Sequence, residues 1–155
     1  MLPRTVPPGP SDRATALAAL CAAHGVAILY VFGSRAGEVD EWHRGRLDGM
    51  GADGSDVDIG VLAARDRRFD VEAKVRLAQA LEALLGVDRV DLISLADADP
   101  FVAANVVRGE RLFARDGDDA DEFDLYVLRR AGDLASWERE RQRLAADVSS
   151  PPIAG

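Results

Sequence analysis

The first apolar segment of the sequence has helical spacing, and the second has the character of a buried strand. Four apolar residues share one face of the predicted first helix: Ala14, Leu17, Ala18 and Cys21. Ser11 is the expected N-cap of this helix and Gly25 its C-terminal stop. The run VAILYVF, residues 26–32, is continuous, β-branched and too short for a typical helix, which favours a strand buried on both faces.

A second helix lies between two further predicted strands. Residues 38–54 lack an apolar period and are broken by glycines, so we interpret them as a long loop. Residues 56–62 then alternate between apolar and polar side chains, as in a strand. A helix over 70–85 ends at Gly86, and VDLIS, residues 90–94, makes a third strand. The predicted buried stripe of this helix consists of Val71, Val75, Ala78, Leu81 and Leu85.

The remaining elements are a short helix, a brief strand and a long helix, predicted over 100–107, 111–114 and 120–146. One side of the long helix is apolar and is expected to pack mainly on the sheet; it carries Phe123, Val127, Leu134 and Trp137. A weaker alternative is that Tyr126 or Trp137 contacts a partner, because the helix is longer than packing on the sheet requires.

Length and composition indicate one domain in a reducing compartment. With 155 residues and 48% hydrophobic content, the chain can bury a core of its own. We expect a flexible segment over 1–10, a single domain over 11–146 with an inserted loop at 38–54, and an unordered tail over 147–155. The single cysteine, Cys21, excludes a disulfide framework and is expected in the core. No stretch has the length of a membrane span or the pattern of a signal peptide, so the expected location is the cytoplasm, away from membranes.

The charge of the chain disfavours nucleic acid as its primary substrate. The formal net charge is -8, and the 19 basic residues are scattered along the sequence. Phosphate backbones are bound by clusters of lysine and arginine. The expected partners are therefore proteins or small molecules.

Two carboxylates stand on one face of the second strand. Asp56 and Asp58 are two positions apart, so their side chains point the same way, about 6–7 Å apart. Carboxylates that close repel each other unless a proton or a cation such as Mg²⁺ lies between them. A half-exposed strand with an acidic face is the simpler interpretation of this pair alone. Gly60 continues the face, and either room for a ligand or a tight packing contact explains it.

Neighbouring elements strengthen the functional interpretation. The first strand ends in Gly33 and Ser34, a turn that offers backbone N–H groups and a hydroxyl to a phosphate. The third strand carries Asp91 in an apolar setting. Three strands would then each bring one part of a site to the same end of a sheet.

The arrangement VFGSRAGE, SDVDIGV and RVDLISL resembles the minimal nucleotidyltransferases of the DNA polymerase β-like superfamily, over residues 26–115. The resemblance implies an α+β fold with a small mixed β-sheet and helices packed mainly on one face. It also implies that ATP and two Mg²⁺ ions are bound. By resemblance, Gly33 and Ser34 form the triphosphate-binding turn. The predicted catalytic and metal-binding residues are Asp56, Asp58 and Asp91.

The sequence departs from the family pattern around the turn. Relatives commonly have a basic residue just before the second glycine of this turn, and none stands there in this chain, so Arg35 is the nearest cation predicted to bind the nucleotide. The segment between the turn and the paired aspartates is also longer than usual. Three residues within it are candidates for extra contacts, although a solvated flexible loop is the simpler interpretation: His43, Arg44 and Arg46.

Many relatives are antitoxins that transfer AMP from ATP to a tyrosine of a HEPN-type toxin. The resemblance therefore implies an adenylyltransferase antitoxin that forms a hetero-oligomer with such a toxin. Two alternatives stay open at this point. In the first alternative, the acceptor is a small molecule of the aminoglycoside type. In the second, the chain is an antitoxin that binds its partner without catalysis.

Overall fold

Helices and strands follow one another closely along the chain. The computed structural model describes residues 10–51 and 54–149, and its elements are, in chain order, α1 Pro10–Ala23, β1 Val26–Phe32, α2 Ala36–His43, β2 Val57–Ala63, α3 Val71–Leu85, β3 Val90–Ser94, α4 Pro100–Val107, β4 Glu110–Ala114 and α5 Gly117–Ser149. The predicted bounds of β1, β3 and α4 are confirmed. Several predicted boundaries move outward. Helix α1 begins before Ser11, and α5 begins at Gly117 and continues through residues 147–149. The rest of both predicted terminal segments lies outside the described residues.

The four strands form one mixed sheet in the order β3-β2-β1-β4. Strand β1 is antiparallel to both of its neighbours, β2 and β4. Strand β3 runs parallel to β2, and α3 makes the crossover between them, as parallel strands require. All but one residue of β1 is buried, which confirms the prediction of a strand buried on both faces.

Helices cover both faces of the sheet. On one face, α1, α2 and α3 contribute Leu17, Val39 and Leu81 to a core that includes Leu29 and Ile59 of the strands. The predicted core position of Cys21 lies in this cluster and is confirmed. On the other face, α4 and α5 pack against alternate residues of β1; this second core includes Ile28, Tyr30, Ala104, Val106 and Val127. The α+β class and the mixed sheet are confirmed, and the expectation of helices mainly on one face gives way to three on one face and two on the other.

Helix α2 occupies part of the segment predicted to be a long loop. Val39 and Trp42 lie one helical turn apart, and their side chains are 0% and 6% exposed. Burial of two large apolar side chains stabilises a helix too short to be stable alone. The prediction of a continuous loop over 38–54 is therefore wrong for its first turns, because two apolar residues are too few to show a period.

The buried faces of α3 and α5 also differ from prediction. In α3 the buried side chains are Leu77, Leu81 and Leu85, whereas Val71 is 79% exposed and Val75 50% exposed. Helix α3 thus packs through its second half. In α5 none of residues 132–148 is buried, and Trp137 is 60% exposed under the guanidinium of Arg141. Only the first half of α5 packs on the body, so the predicted packing of Trp137 is wrong. No helix within the described ranges is long and apolar enough to span a membrane.

Gly60 is explained by helix packing. A Cβ atom built on Gly60 would collide with Cγ1 of Val106 in α4. The missing side chain lets α4 approach the sheet closely. Of the two explanations offered for this glycine, the packing contact is the one that the structure supports.

Candidate active site

The predicted site residues meet at one end of the sheet. This end is formed by the last residue of β1 and the first residues of β2 and β3. Phe32 is paired with Asp58 across β1 and β2, and Asp58 is paired with Asp91 across β2 and β3. Paired residues of neighbouring strands lie on the same face, with the strands about 4.8 Å apart. Asp58 and Asp91 are therefore side by side, and the Gly33–Ser34 turn follows directly beside them.

Gly33 brings the turn against the carboxylate of Asp58. Its φ of +77° lies in the left-handed region that side chains with a Cβ disfavour. A Cβ atom at this position would also collide with Oδ2 of Asp58. The turn is closed by the Ala36 N–H, which donates to the Gly33 carbonyl at 3.2 Å, and Ser34 is exposed. Glycine is thus required both by backbone conformation and by space.

The acidic residues influence one another electrostatically. Partial burial raises the pKa of the Asp58 carboxyl above its usual value, and the negative charges of Asp91 and Asp56 raise it further. Burial and the neighbouring charges thus make the ionised form of Asp58 less favourable in the folded chain. A bound divalent cation would offset this unfavourable free energy, and Mg²⁺ prefers oxygen donors of this kind. The donor set therefore fits the ion that the family implies.

Asp56 lies at the rim of this end of the sheet. It precedes β2, and its Oδ2 is 3.6 Å from Nε of Arg89, with side chains 43% and 74% exposed. An ion pair this open contributes little stability and does not hold the carboxylate permanently. Among the described residues, no three His, Cys, Asp or Glu side chains are arranged as a closed set of metal ligands. Asp58 and Asp91 are thus brought together, whereas Asp56 would have to turn from Arg89 to join them.

Arg35 faces the interior, unlike the other predicted site residues. The residue is 4% exposed. Its Nη1 donates to the Ser55 carbonyl at 2.8 Å, and its Nη2 donates to the Gly51 carbonyl at 2.9 Å. Its Nε and Nη2 also donate to the two carboxylate oxygens of Glu38, each at 3.1 Å. These hydrogen bonds use the guanidinium inside the protein, and the contact of Arg35 with a nucleotide stays a prediction.

The segment after α2 is attached to the body by a second arginine that sequence reasoning missed. Arg13 of α1 donates to the carbonyls of Trp42, Leu47 and Asp48, and its guanidinium lies 5.1 Å from the Trp42 ring centroid. The segment is therefore attached to α1 at three carbonyls, although residues 44–48 are exposed, as in a solvated loop. No local pattern marks Arg13, since its partners are 29 to 35 positions away.

Two of the three other candidates in the insertion pair with carboxylates of α2. Arg44 pairs with Asp40 at 3.0 Å, and Arg46 pairs with Glu41 at 3.1 Å. Within the described part of the chain, Nε2 of His43 is buried without a hydrogen-bond partner, and burial lowers the pKa of His43, which favours its neutral form. Contact of any of the three with a nucleotide stays a prediction.

A wide groove of about 940 Å³ lies at the opposite end of the sheet. It is lined by residues that begin β1, end β2 and begin α5, including Ala27, Asp66 and Asp119. None of the predicted site residues lines it. The candidate chemistry therefore belongs to the shallow acidic end of the sheet.

Known proteins share this arrangement. Residues 16–118 match the family described as "Polymerase beta, Nucleotidyltransferase". No curated protein sequence matches the chain.

Solved structures of toxin–antitoxin complexes share its fold. A variant of a MntA–HpeT complex contains a chain 26% identical, with 88% of this chain and 98% of that one covered and a TM-score of 0.61. A toxin–antitoxin complex with AMP-PNP has the same identity, coverage and TM-score: 26%, 88% and 98%, and 0.61. A tri-AMPylated HEPN toxin with its MNT antitoxin, from Shewanella oneidensis, is 25% identical over 91% and 99% of the two chains, with a TM-score of 0.58.

The family match covers more than half of the chain and contains all four strands. It also contains the Gly33–Ser34 turn and the three aspartates of the acidic end. The chain therefore belongs to the polymerase beta nucleotidyltransferase family.

Proposed function

We propose that this chain is a Mg²⁺-dependent adenylyltransferase that moves AMP from ATP to a hydroxyl, expected to be a tyrosine, of a HEPN-type toxin. In this role it acts as the antitoxin. The observation that carries the proposal is the in-register pair Asp58 and Asp91 beside the Gly33–Ser34 turn. The similar complexes, one with AMP-PNP and one with a tri-AMPylated HEPN toxin, support the choice of nucleotide and acceptor.

The turn binds the triphosphate in this proposal. Gly33 leaves the backbone open to a phosphate, and Ser34 offers its hydroxyl from an exposed position. Helix α2 begins at Ala36, so its first N–H groups add positive potential close to the turn. Phosphate oxygens are thus met by backbone donors.

The acidic residues hold the ions and accept the proton. Asp56 and Asp58 would hold one Mg²⁺ with the triphosphate, and Asp91 would share a second. When bound, these ions offset charge on the triphosphate and lower the pKa of the acceptor hydroxyl. The acceptor oxygen attacks the α-phosphorus. The bond between the α-phosphorus and the oxygen that bridges to the β-phosphorus breaks, and pyrophosphate leaves with that oxygen. Asp91 accepts the hydroxyl proton.

Labelled transfer tests this proposal. The purified chain is incubated with Mg²⁺, α-labelled ATP and a HEPN-type toxin, and label is expected on a tyrosine of that toxin. Label on an aminoglycoside instead would favour the small-molecule alternative. Absence of label, with inhibition of the toxin retained, would contradict the proposal in favour of a binding-only antitoxin.

One observation favours that last alternative. With Arg35 turned inward, the turn presents no basic side chain of its own to a triphosphate. A binding-only antitoxin would inhibit its toxin equally well with Asp58→Asn, whereas the adenylyltransferase would not. The comparison of these two inhibition measurements separates the functions.

A further inference from the structure

Arg35 joins the two backbone segments that carry the candidate site. It directly follows the Gly33–Ser34 turn in the sequence, and it holds the carbonyl of Ser55, the residue before Asp56. A second hydrogen bond holds the Gly51 carbonyl. One side chain thus connects the predicted phosphate-binding turn to the strand entrance that presents the paired aspartates.

Glu38 completes this connection from α2. Its carboxylate accepts two hydrogen bonds from Arg35 and another from the Gly51 N–H. A two-pronged contact between a guanidinium and a carboxylate fixes the orientation of both groups. The side chains are 5% and 24% exposed, so water screens the pair only weakly. The segment before Asp56 is therefore attached to α2 by a rigid, largely buried contact.

Resting on the function proposed above, we infer that Arg35 is a positioning residue for the divalent cations. It sets the approach of the 54–56 segment to the turn, and through that segment it sets where the carboxylate of Asp56 lies. Lysine cannot replace it, since an ammonium group lacks the planar fork that reaches two carbonyls and a carboxylate together. Loss of this contact would release Asp56 while leaving Asp58 and Asp91 paired in the sheet.

The test compares Arg35→Gln and Arg35→Lys with Arg44→Gln in the full chain. Arg44 is the matched control, because it also pairs with a carboxylate of α2, at 3.0 Å, but its side chain is 54% exposed. Mn²⁺ binding is measured by electron paramagnetic resonance, without ATP or toxin, well below the melting temperature. We expect the dissociation constant to rise about tenfold or more in both Arg35 variants and to stay unchanged in the control.

Hydrogen exchange supplies a readout that needs no metal. In Arg35→Gln, amides of residues 54–58 are expected to exchange faster by a larger factor than those of α1 and α3, whose exchange rises only with the global loss of stability. A merely structural role would speed exchange by the same factor throughout the chain and leave the Mn²⁺ affinity of the folded chain unchanged. If Arg35→Gln fails to fold, Arg35→Lys and Glu38→Gln carry the same measurements.

The outcomes separate this inference from the proposed function. Folded Arg35 variants that bind Mn²⁺ like the control, or that keep slow exchange at 54–58, would overturn the inference. A wild type that binds Mn²⁺ but transfers no nucleotide would overturn the proposed function and leave the inference standing. If the wild type binds Mn²⁺ no better than Asp58→Asn, both the metal-dependent function and this inference are overturned.

Discussion

Two arginines flank the candidate site in opposite environments. Arg35 lies beneath the turn, with its side chain 5% exposed and guanidinium nitrogens 3.1 Å from both oxygens of Glu38. Arg89 lies at the rim, 74% exposed, with a single approach of 3.6 Å to Asp56. Burial and two-pronged geometry make the inner pair a fixed part of the structure. The outer pair is screened by water, so a divalent cation can compete with Arg89 for Asp56.

The carboxylates divide along the same line. Asp58 and Asp91 are held in register by two strands, whereas Asp56 precedes its strand and faces the rim. The sheet fixes the positions of Asp58 and Asp91, whereas the position of Asp56 depends on neighbouring residues outside the strand. Substitutions on the two sides of this division should therefore have different consequences.

The largest expected effect is the loss of activity when Asp58, one of the two carboxylates fixed by the sheet, is substituted. Asp58→Asn should reduce nucleotide transfer by more than about 100-fold, because it removes a proposed metal ligand itself and not a residue that only supports a ligand. The melting temperature measured without metal should stay the same or rise, because one repelling charge is gone. Asp66→Asn, which changes a carboxyl at the other end of β2, is the control and should transfer normally. Near-normal transfer by folded Asp58→Asn would contradict the assignment.

The next effect distinguishes the two arginines by stability. Arg35→Gln should lower the free energy of unfolding by about 3 kcal/mol, because it removes the cationic partner of Glu38 and the donor to two backbone carbonyls. Arg89→Gln should change it by less than about 0.5 kcal/mol, as at other exposed ion pairs. Urea denaturation of both variants checks this contrast. Equal losses would mean that the rim pair is as fixed as the inner one.

Two glycines sharpen the comparison within the turn and the helix after it. Gly33→Ala should cost at least about 1–2 kcal/mol, since it combines a left-handed φ with a collision at Asp58. Gly37→Ala should instead add about 0.5–1 kcal/mol of stability, because Gly37 lies in α2 with open space around its Cβ position. Thermal denaturation measures both. Stabilisation by Gly33→Ala would show that the turn is not constrained as described.

The smallest effect is expected in the second half of α5. Trp137→Ala should change the free energy of unfolding of the isolated chain by less than about 0.5 kcal/mol, because the ring is 60% exposed. Leu81→Ala in α3 provides the contrast and should cost about 2–5 kcal/mol. A large loss for Trp137→Ala in the isolated chain would indicate that α5 packs against the body beyond Ala131.

Much of the fold could be predicted because it depends on local patterns. The length and β-branched residues of the run at 26–32 predict a strand buried on both faces, and VDLIS is predicted as the third strand in the same way. Helix α3 could be placed by its caps, since Asp70 accepts from the Ala73 N–H at 2.7 Å and Gly86 adopts a φ of +69°. The sequence also predicts that Asp58 and Asp91 come together, because both stand near the start of a predicted strand and neighbouring strands bring such residues to one end of the sheet.

The sequence by itself determined the order of elements, the acidic residues and the turn, since each depends on residues a few positions apart. Only the tertiary structure decided that Arg35 faces inward, that α2 forms, that α3 packs through its second half and that Asp56 stays at the rim. Those outcomes depend on contacts between distant segments, such as Arg35 with Ser55, 20 positions away, and Arg13 with Trp42, 29 positions away. Which of these contacts forms depends on competition among many possible partners in the folded chain. The local spacing of apolar and polar residues does not indicate the outcome.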